Sequence, residues 1–303
     1  GHGGAVLGVG CSDPYVASLN GSQGGLGPRY QVNPFTGVFA YPVTGVPSPT
    51  GQMRRLLVAN DDINPALNAG ARYFVEGQYV TQDDSAAGNN FNNQSWREIR
   101  NSGSGTNFNI ALISGANTHR MEPALKAWAF VDPTVQTKSV RVPGEGEYWV
   151  GYKVTNNNGV YTYEYAIENN NSDRAIGSFH FPLAGCQGLI SQGWHGVNYH
   201  SGEPFDNSEW VREVVDGQAI WRTAQTFAQN PNSNALRWST LYNFRFTANF
   251  APAVNPADVA SIGLFRPGTP NAVTAILPVP GGVATCDADL NQDGNADQDD
   301  VAY

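Results

Sequence analysis

The chain has 303 residues, with 17 Lys and Arg against 26 Asp and Glu, a net charge of −9 and only 14% charged residues. That length supports a substantial buried core, as one large β domain or as two ordinary domains. Basic residues are scattered singly apart from Arg54-Arg55, and no window approaches about 18 consecutive apolar residues. The sequence therefore offers no stripe to track a phosphate backbone and no membrane span.

Thirty-four Gly and 19 Pro, with abundant Asn and aromatics, are the profile of short strands joined by many turns, so an all-β fold is expected. The first 50 residues read as extended pieces linked by turns. Strands are expected at Met53 to Asn60 and at Ala71 to Thr81, where Tyr73, Val75 and Tyr79 alternate with Phe74, Glu76 and Val80. Glu147 to Asn169 reads as a hairpin around Asn156 to Gly159, and Glu209 to Thr223 as a second around Asp216-Gly217. In the first of these, Tyr161, Tyr163 and Tyr165 share one face, either as the wall of a packed sheet or as a platform for a sugar ring. Further strands are expected at Ala175 to Leu183, Leu236 to Phe250 and Val259 to Phe265.

Strands at this spacing indicate an antiparallel β-sandwich, jelly-roll-like, over residues 1–265, with any division into two sub-domains near 120–145. Residues 266–285 carry four prolines and read as a semi-extended linker. Three cysteines, Cys11, Cys186 and Cys286, fit one bridge in an oxidising compartment, most simply Cys11 to Cys186; in a reducing cell they are small buried hydrophobes.

The densest polar constellation of the body is "WHGVNYHSGEPFDNSEW", Trp194 to Trp210. His195, His200 and Glu203 are a candidate zinc or copper site, and Glu203, Asp206 and Glu209 are candidate hydrolase acids. The competing reading is a loop whose histidines bond backbone carbonyls. No nucleophile elbow or phosphate-cradling loop is present in the sequence.

Six aspartates fall between Asp287 and Asp300. With Asp289 as position 1 of a loop, oxygen ligands stand at positions 1, 3, 5, 9 and 12 as Asp289, Asn291, Asp293, Asp297 and Asp300, with Gly294 at position 6 and the Asn295 carbonyl at position 7. That is the EF-hand calcium pattern, with Asp in place of Glu at the last position, and Ca²⁺ is the expected cofactor.

"CDADLNQDGNADQDDVAY" resembles the first repeat of a dockerin-type module, in the variant that closes many secreted planctomycete-type bacterial proteins. The resemblance implies the same six ligands, a second repeat beyond Tyr303, and an export signal already removed. Body stretches including "YEYAIENNNSDRAIGSFHFPL" and "NALRWSTLYNFRF" also resemble secreted proteins that carry this tail and have no assigned activity.

The expected function is that of a secreted, non-catalytic structural or interaction protein, displayed on the cell surface or assembled into an extracellular polymer. Its tail, residues 286–303, then docks a protein partner or sister subunits. The alternative is a carbohydrate-binding module using Trp96, Trp149, Trp194, Trp210 or the tyrosines, or a glycoside hydrolase, with polysaccharide as the partner.

Overall fold

The computed structural model describes residues 28–40, 56–183, 189–253 and 259–281. Its clearest local signal is the Asn158-Gly159 turn. Strands β6 (Gly146–Asn157) and β7 (Val160–Asn169) pair antiparallel, from Asn157 opposite Val160 to Tyr148 opposite Asn169. Both turn residues take positive φ, 53° and 88°, as a two-residue turn matched to the strand twist requires. Asp216 and Gly217, at 49° and 69°, close the hairpin of β10 (Val211–Val215) and β11 (Gln218–Arg222) in the same way.

Two five-stranded antiparallel sheets build the sandwich. One has the order β5 (Gln136–Val142), β6, β7, β12 (Leu241–Ala248), β9 (Ser191–His195). The other has the order β10, β11, β8 (Ile176–Pro182), β14 (Ala260–Leu264), β15 (Ala272–Ala275). All the pairings within both sheets are antiparallel, as expected for an antiparallel β-sandwich.

Period-two alternation turns Tyr163, Tyr165 and Ile167 of β7, Phe244 and Phe246 of β12, Phe179 and Phe181 of β8, and Trp221 of β11 into a single core. The sheets meet ring on ring, with Phe181 4.8 Å from Phe246 and Phe179 5.2 Å from Phe244 between centroids. Tyr163 and Tyr165 are therefore core residues and offer no sugar platform. Their hydroxyls donate to the carbonyls of Phe250 and Pro278, which satisfies the only polar atom each ring brings inside.

A smaller sheet precedes the sandwich: β1 (Tyr73–Gln78), β2 (Gln94–Ser104) and β3 (Asn107–Leu112), with β4 (His119–Arg120) pairing β2. Three short helices, α1 (Asn60–Ile63), α2 (Gln82–Ala86) and α3 (Lys126–Val131), lie around it. The strand expected at Met53 to Asn60 does not form over its described part. The Leu57 N–H is taken by Ser201 Oγ at 2.9 Å rather than by a ladder, and Asn60 opens α1, whose first turn holds Asp61 and Asp62.

Residues 266–281 also depart from the linker expected there. β15 pairs with β14, Leu277 and Val279 are buried in the core, and β16 (Val279–Pro280) pairs with β13 (Pro252–Ala253). The prolines are compatible with this because Pro267 and Pro270 sit in the β14–β15 connection and β15 is an edge strand. Gly281 N–H then donates to Ala251 O at 2.9 Å. Residues 282–285 lie outside the described residues.

The small sheet and the sandwich are joined through Asn169-Asn170-Asn171-Ser172, all buried. Asn169 Oδ1 accepts from Ser172 N–H at 2.8 Å, and its amide donates to Ser172 O and Leu236 O. Asn170 takes Gln94 Nε2 on its side chain and Gln78 Nε2 on its carbonyl, while Asn171 Nδ2 donates to Asn90 O. Asn170 also opens an Asn-Asn-Ser glycosylation pattern, but its burial puts the amide out of reach of an enzyme acting on the folded protein.

Asn169→Ala removes an acceptor and two donated bonds from a site without water access, and is expected to lower stability by about 2–4 kcal/mol. Asn156→Ala, at the exposed turn where Oδ1 accepts only Gly159 N–H, is expected to cost less than about 1 kcal/mol. Urea unfolding of both variants checks the contrast, and equal midpoints refute the role given to Asn169.

Candidate functional site

The structure gives the side chains of the expected histidine and acid cluster different partners. His195 ends β9, exposed and opposite Asn243. His200 is buried, and Nε2 meets Asn234 Oδ1 at 2.9 Å. Because Asn234 Nδ2 donates to Ser208 O, that Oδ1 is an acceptor, so Nε2 carries the proton of the neutral ring. Burial lowers the His200 pKa, which keeps the ring neutral.

Glu203 is held by both Nε (3.1 Å) and Nη2 (2.7 Å) of Arg29. Asp206 accepts from Asn230 at 2.9 Å, and Glu209 pairs with Arg212 at 2.7 Å. The three acids thus face three different hydrogen-bond partners. Among the described residues no group of three His, Cys, Asp or Glu side chains is placed to hold a metal ion.

Sequence distance hid what stands there instead. Arg29, Glu203 and Arg237 come from three separate segments and line one cleft of about 270 Å³. Arg237 is only 9% exposed, and its guanidinium lies 3.9 Å from the ring centroid of Phe205 and 4.9 Å from that of Phe265. Nη2 donates to Pro231 O (2.9 Å) and Ser233 O (2.8 Å), while Nε is buried without a partner. Burial pulls the Arg237 pKa down to about 10, so the group remains a cation at neutral pH. His200 packs edge-on against Phe205 at 5.5 Å from behind, and Tyr30 does so at 6.2 Å.

A second polar feature lies where the small sheet meets β7. Glu76 Oε2 accepts from Ala124 N–H at 2.6 Å and Glu168 Oε2 from the next amide, Leu125, at 2.9 Å. The two carboxyl groups hydrogen-bond each other, which requires a proton between them. Burial, then the neighbouring Glu76 charge, holds Glu168 well above the usual carboxylate range. Both residues line an apolar cleft of about 390 Å³ with Tyr73, Phe74 and Ile99. Phe74, Glu76 and Gln78 lie on the less exposed face of β1, but nothing local in the sequence pointed to Glu168 as the partner of Glu76.

None of the four tryptophans offered as sugar platforms stands free. Trp96 and Trp210 are buried, Trp194 stacks 6.1 Å from Trp210, and Lys126 Nζ covers Trp149 at 4.6 Å. The residues expected to hold calcium, Asp289, Asn291, Asp293, Asn295, Asp297 and Asp300, and all three cysteines, Cys11, Cys186 and Cys286, lie outside the described residues. No helix among the described residues is long and apolar enough to cross a membrane. A scan against protein-family models and a search of curated proteins both gave no match.

A carboxyl whose folded-state pKa is raised holds its proton more tightly when folded. The stability that this proton contributes at the Glu76–Glu168 pair is fully present below about pH 4.5 and is lost as the pH rises through the raised folded-state value. Glu168→Gln mimics the protonated form. It is expected to flatten the fall in melting temperature with rising pH, and at pH 8 to stabilise by ~1.4 kcal/mol for each unit by which the pair's pKa is raised. Thermal unfolding from pH 4 to 9 checks this; parallel curves for wild type and E168Q refute the shared proton.

Proposed function

We propose that the chain is a secreted, non-catalytic structural or interaction protein. Its β-sandwich is presented outside the cell, and a calcium-binding C-terminal segment joins it to a protein partner or to sister copies. The observation that carries this reading is the spacing of Asp289, Asn291, Asp293, Gly294, Asp297 and Asp300, in which a glycine occupies the one loop position that needs a sharp turn. Hard oxygen donors in this order suit Ca²⁺, and neutralising them removes the repulsion that otherwise keeps the segment apart.

Two features of the body support the reading. The candidate catalytic acids Glu203, Asp206 and Glu209 are each engaged by a different partner. The chain is pinned to the sandwich as far as Gly281, so Asp289 follows only eight residues beyond a fixed point. Assembly into a fibre or surface layer through the tail is the extension of this reading.

Calorimetric titration with CaCl₂ is expected to give one site per chain with Kd on the order of 10⁻⁴–10⁻³ M, abolished in Asp289→Asn/Asp293→Asn. Negative-stain electron microscopy is expected to show ordered assemblies that disperse on chelation. Absence of calcium-dependent heat overturns the metal site, and particles unchanged by chelator overturn assembly through it.

A further inference from the structure

Among the described residues β1 pairs with β2 alone, so its other edge is free. The Tyr79 N–H donates to Asn93 O at 3.2 Å in the register of that pair. Hydrogen-bonded pairs alternate in an antiparallel ladder, so Tyr73, Val75 and Gly77 bond to β2 while Phe74 and Glu76 turn N–H and C=O the other way. Among the described residues those outward backbone groups meet no partner. They lie along a groove. Tyr73, Phe74, Val75 and Glu76 all line the cleft of about 390 Å³, and because successive strand residues point to opposite faces, a cleft touching all four runs along the edge itself.

A second cleft, of about 400 Å³, shares Phe74, Ala124 and Leu241 with the first and is walled by Trp128 and Val131. A strand added beside β1 therefore has backbone partners at Phe74 and Glu76. One set of its alternate side chains meets Leu56, Ile99 and Ile110, and the other meets Phe74, Trp128 and Val131. Charge selects one residue of that strand. Of the charged groups lining the two clefts, Arg29 is paired with Glu203 and Arg72 with Glu98, each at 2.7 Å, which leaves Glu76 and Glu168. Their hydrogen-bond partners among the described residues are the Ala124 and Leu125 amides and each other, with no cation. With one shared proton the pair keeps a negative charge, which a lysine ammonium matches.

We infer that the free edge of β1 docks an extended peptide of a partner protein as an added strand, with a lysine facing Glu76 and Glu168 and apolar side chains in the two clefts. Because Phe74 and Glu76 share a face two residues apart, the lysine stands two residues from the side chain that enters the Trp128 cleft. A second copy of this chain brings a net charge of −9 to the same acidic edge, whereas a basic peptide meets it with the opposite sign. The dock uses no residue of the acidic tail and is tested without calcium, so its failure and that of the calcium reading are separate results.

Fluorescence anisotropy of the full chain in EDTA tests it, with the labelled peptide Ac-TVIVKVT-amide as probe and the same peptide carrying glutamate in place of lysine as control. The lysine peptide is expected to bind saturably and at least about tenfold more tightly than the control. Hydrogen exchange at the Phe74 and Glu76 amides is expected to slow at least about tenfold at saturation, which filling of the clefts without strand pairing does not produce. Ile110 is 51% exposed, so Ile110→Lys puts a charge in the aliphatic cleft with little effect on melting temperature, and is expected to weaken binding at least about tenfold. Glu76→Gln/Glu168→Gln is expected to bind both peptides alike. No binding of the lysine peptide, equal binding of the two peptides by wild type, or unchanged exchange in β1 overturns the proposal. Phe74 and Glu76 amides already protected in the free protein put another segment of the chain or a second copy on the edge, and overturn it as well.

Discussion

The structure depends on the buried amide corner at Asn169 to Ser172. A chain with so few charges cannot lock two sheets together with ion pairs, and backbone groups at a sheet-to-sheet crossing still require partners. Asparagine answers both needs, since one side chain supplies two donors and an acceptor without the desolvation cost of a charge. Tyr148, fully buried, adds its hydroxyl to Ser172, and Glu147 adds its N–H to Asn171. In a low-dielectric interior such a network is satisfied in only one arrangement, and that arrangement fixes the small sheet against the sandwich.

Once the two parts are fixed, the ionisable groups that stay inside fall at their margins rather than in the aromatic core. Each is handled by different chemistry. His200 is kept neutral by burial beside Asn234, Glu168 by sharing a proton with Glu76, and Arg237 keeps its charge between two rings. Exposed pairs such as Asp132 with Lys153, where the ammonium holds the carboxyl down to about 2, show the ordinary solution at the surface. The carboxylates of Glu203 and Asp206 favour that charge from outside hydrogen-bonding distance.

Local rules carried most of the strand assignment. Asn158-Gly159 and Asp216-Gly217 named their hairpins because few dipeptides adopt two positive φ angles in succession, and period two identified the inward faces of β7 and β12. The same rules failed where pairing decides the outcome. Proline content marked residues 266–281 as linker, yet an edge strand tolerates proline, and burial of Leu277 and Val279 outweighs it. The His200 region read as a cluster because it is dense in sequence. Its residues point to partners at positions 29, 230 and 234, and such long-range pairings leave no trace in spacing. Arg237 carried one weak signal, a lone arginine within the otherwise uncharged stretch "NALRWST".

The bond from Gly281 N–H to Ala251 O sets a scale for the rest of the chain. At no more than about 3.6 Å per residue, Asp289 stays within roughly 29 Å of Gly281 however the intervening chain runs. A tether that short acts through local concentration rather than through reach. Under the proposed function, a partner bound by the acidic segment is held beside the sandwich at an effective concentration of about the millimolar range. Contacts too weak to form between free molecules then become populated between tethered ones, and a sheet edge needs only modest intrinsic affinity to act.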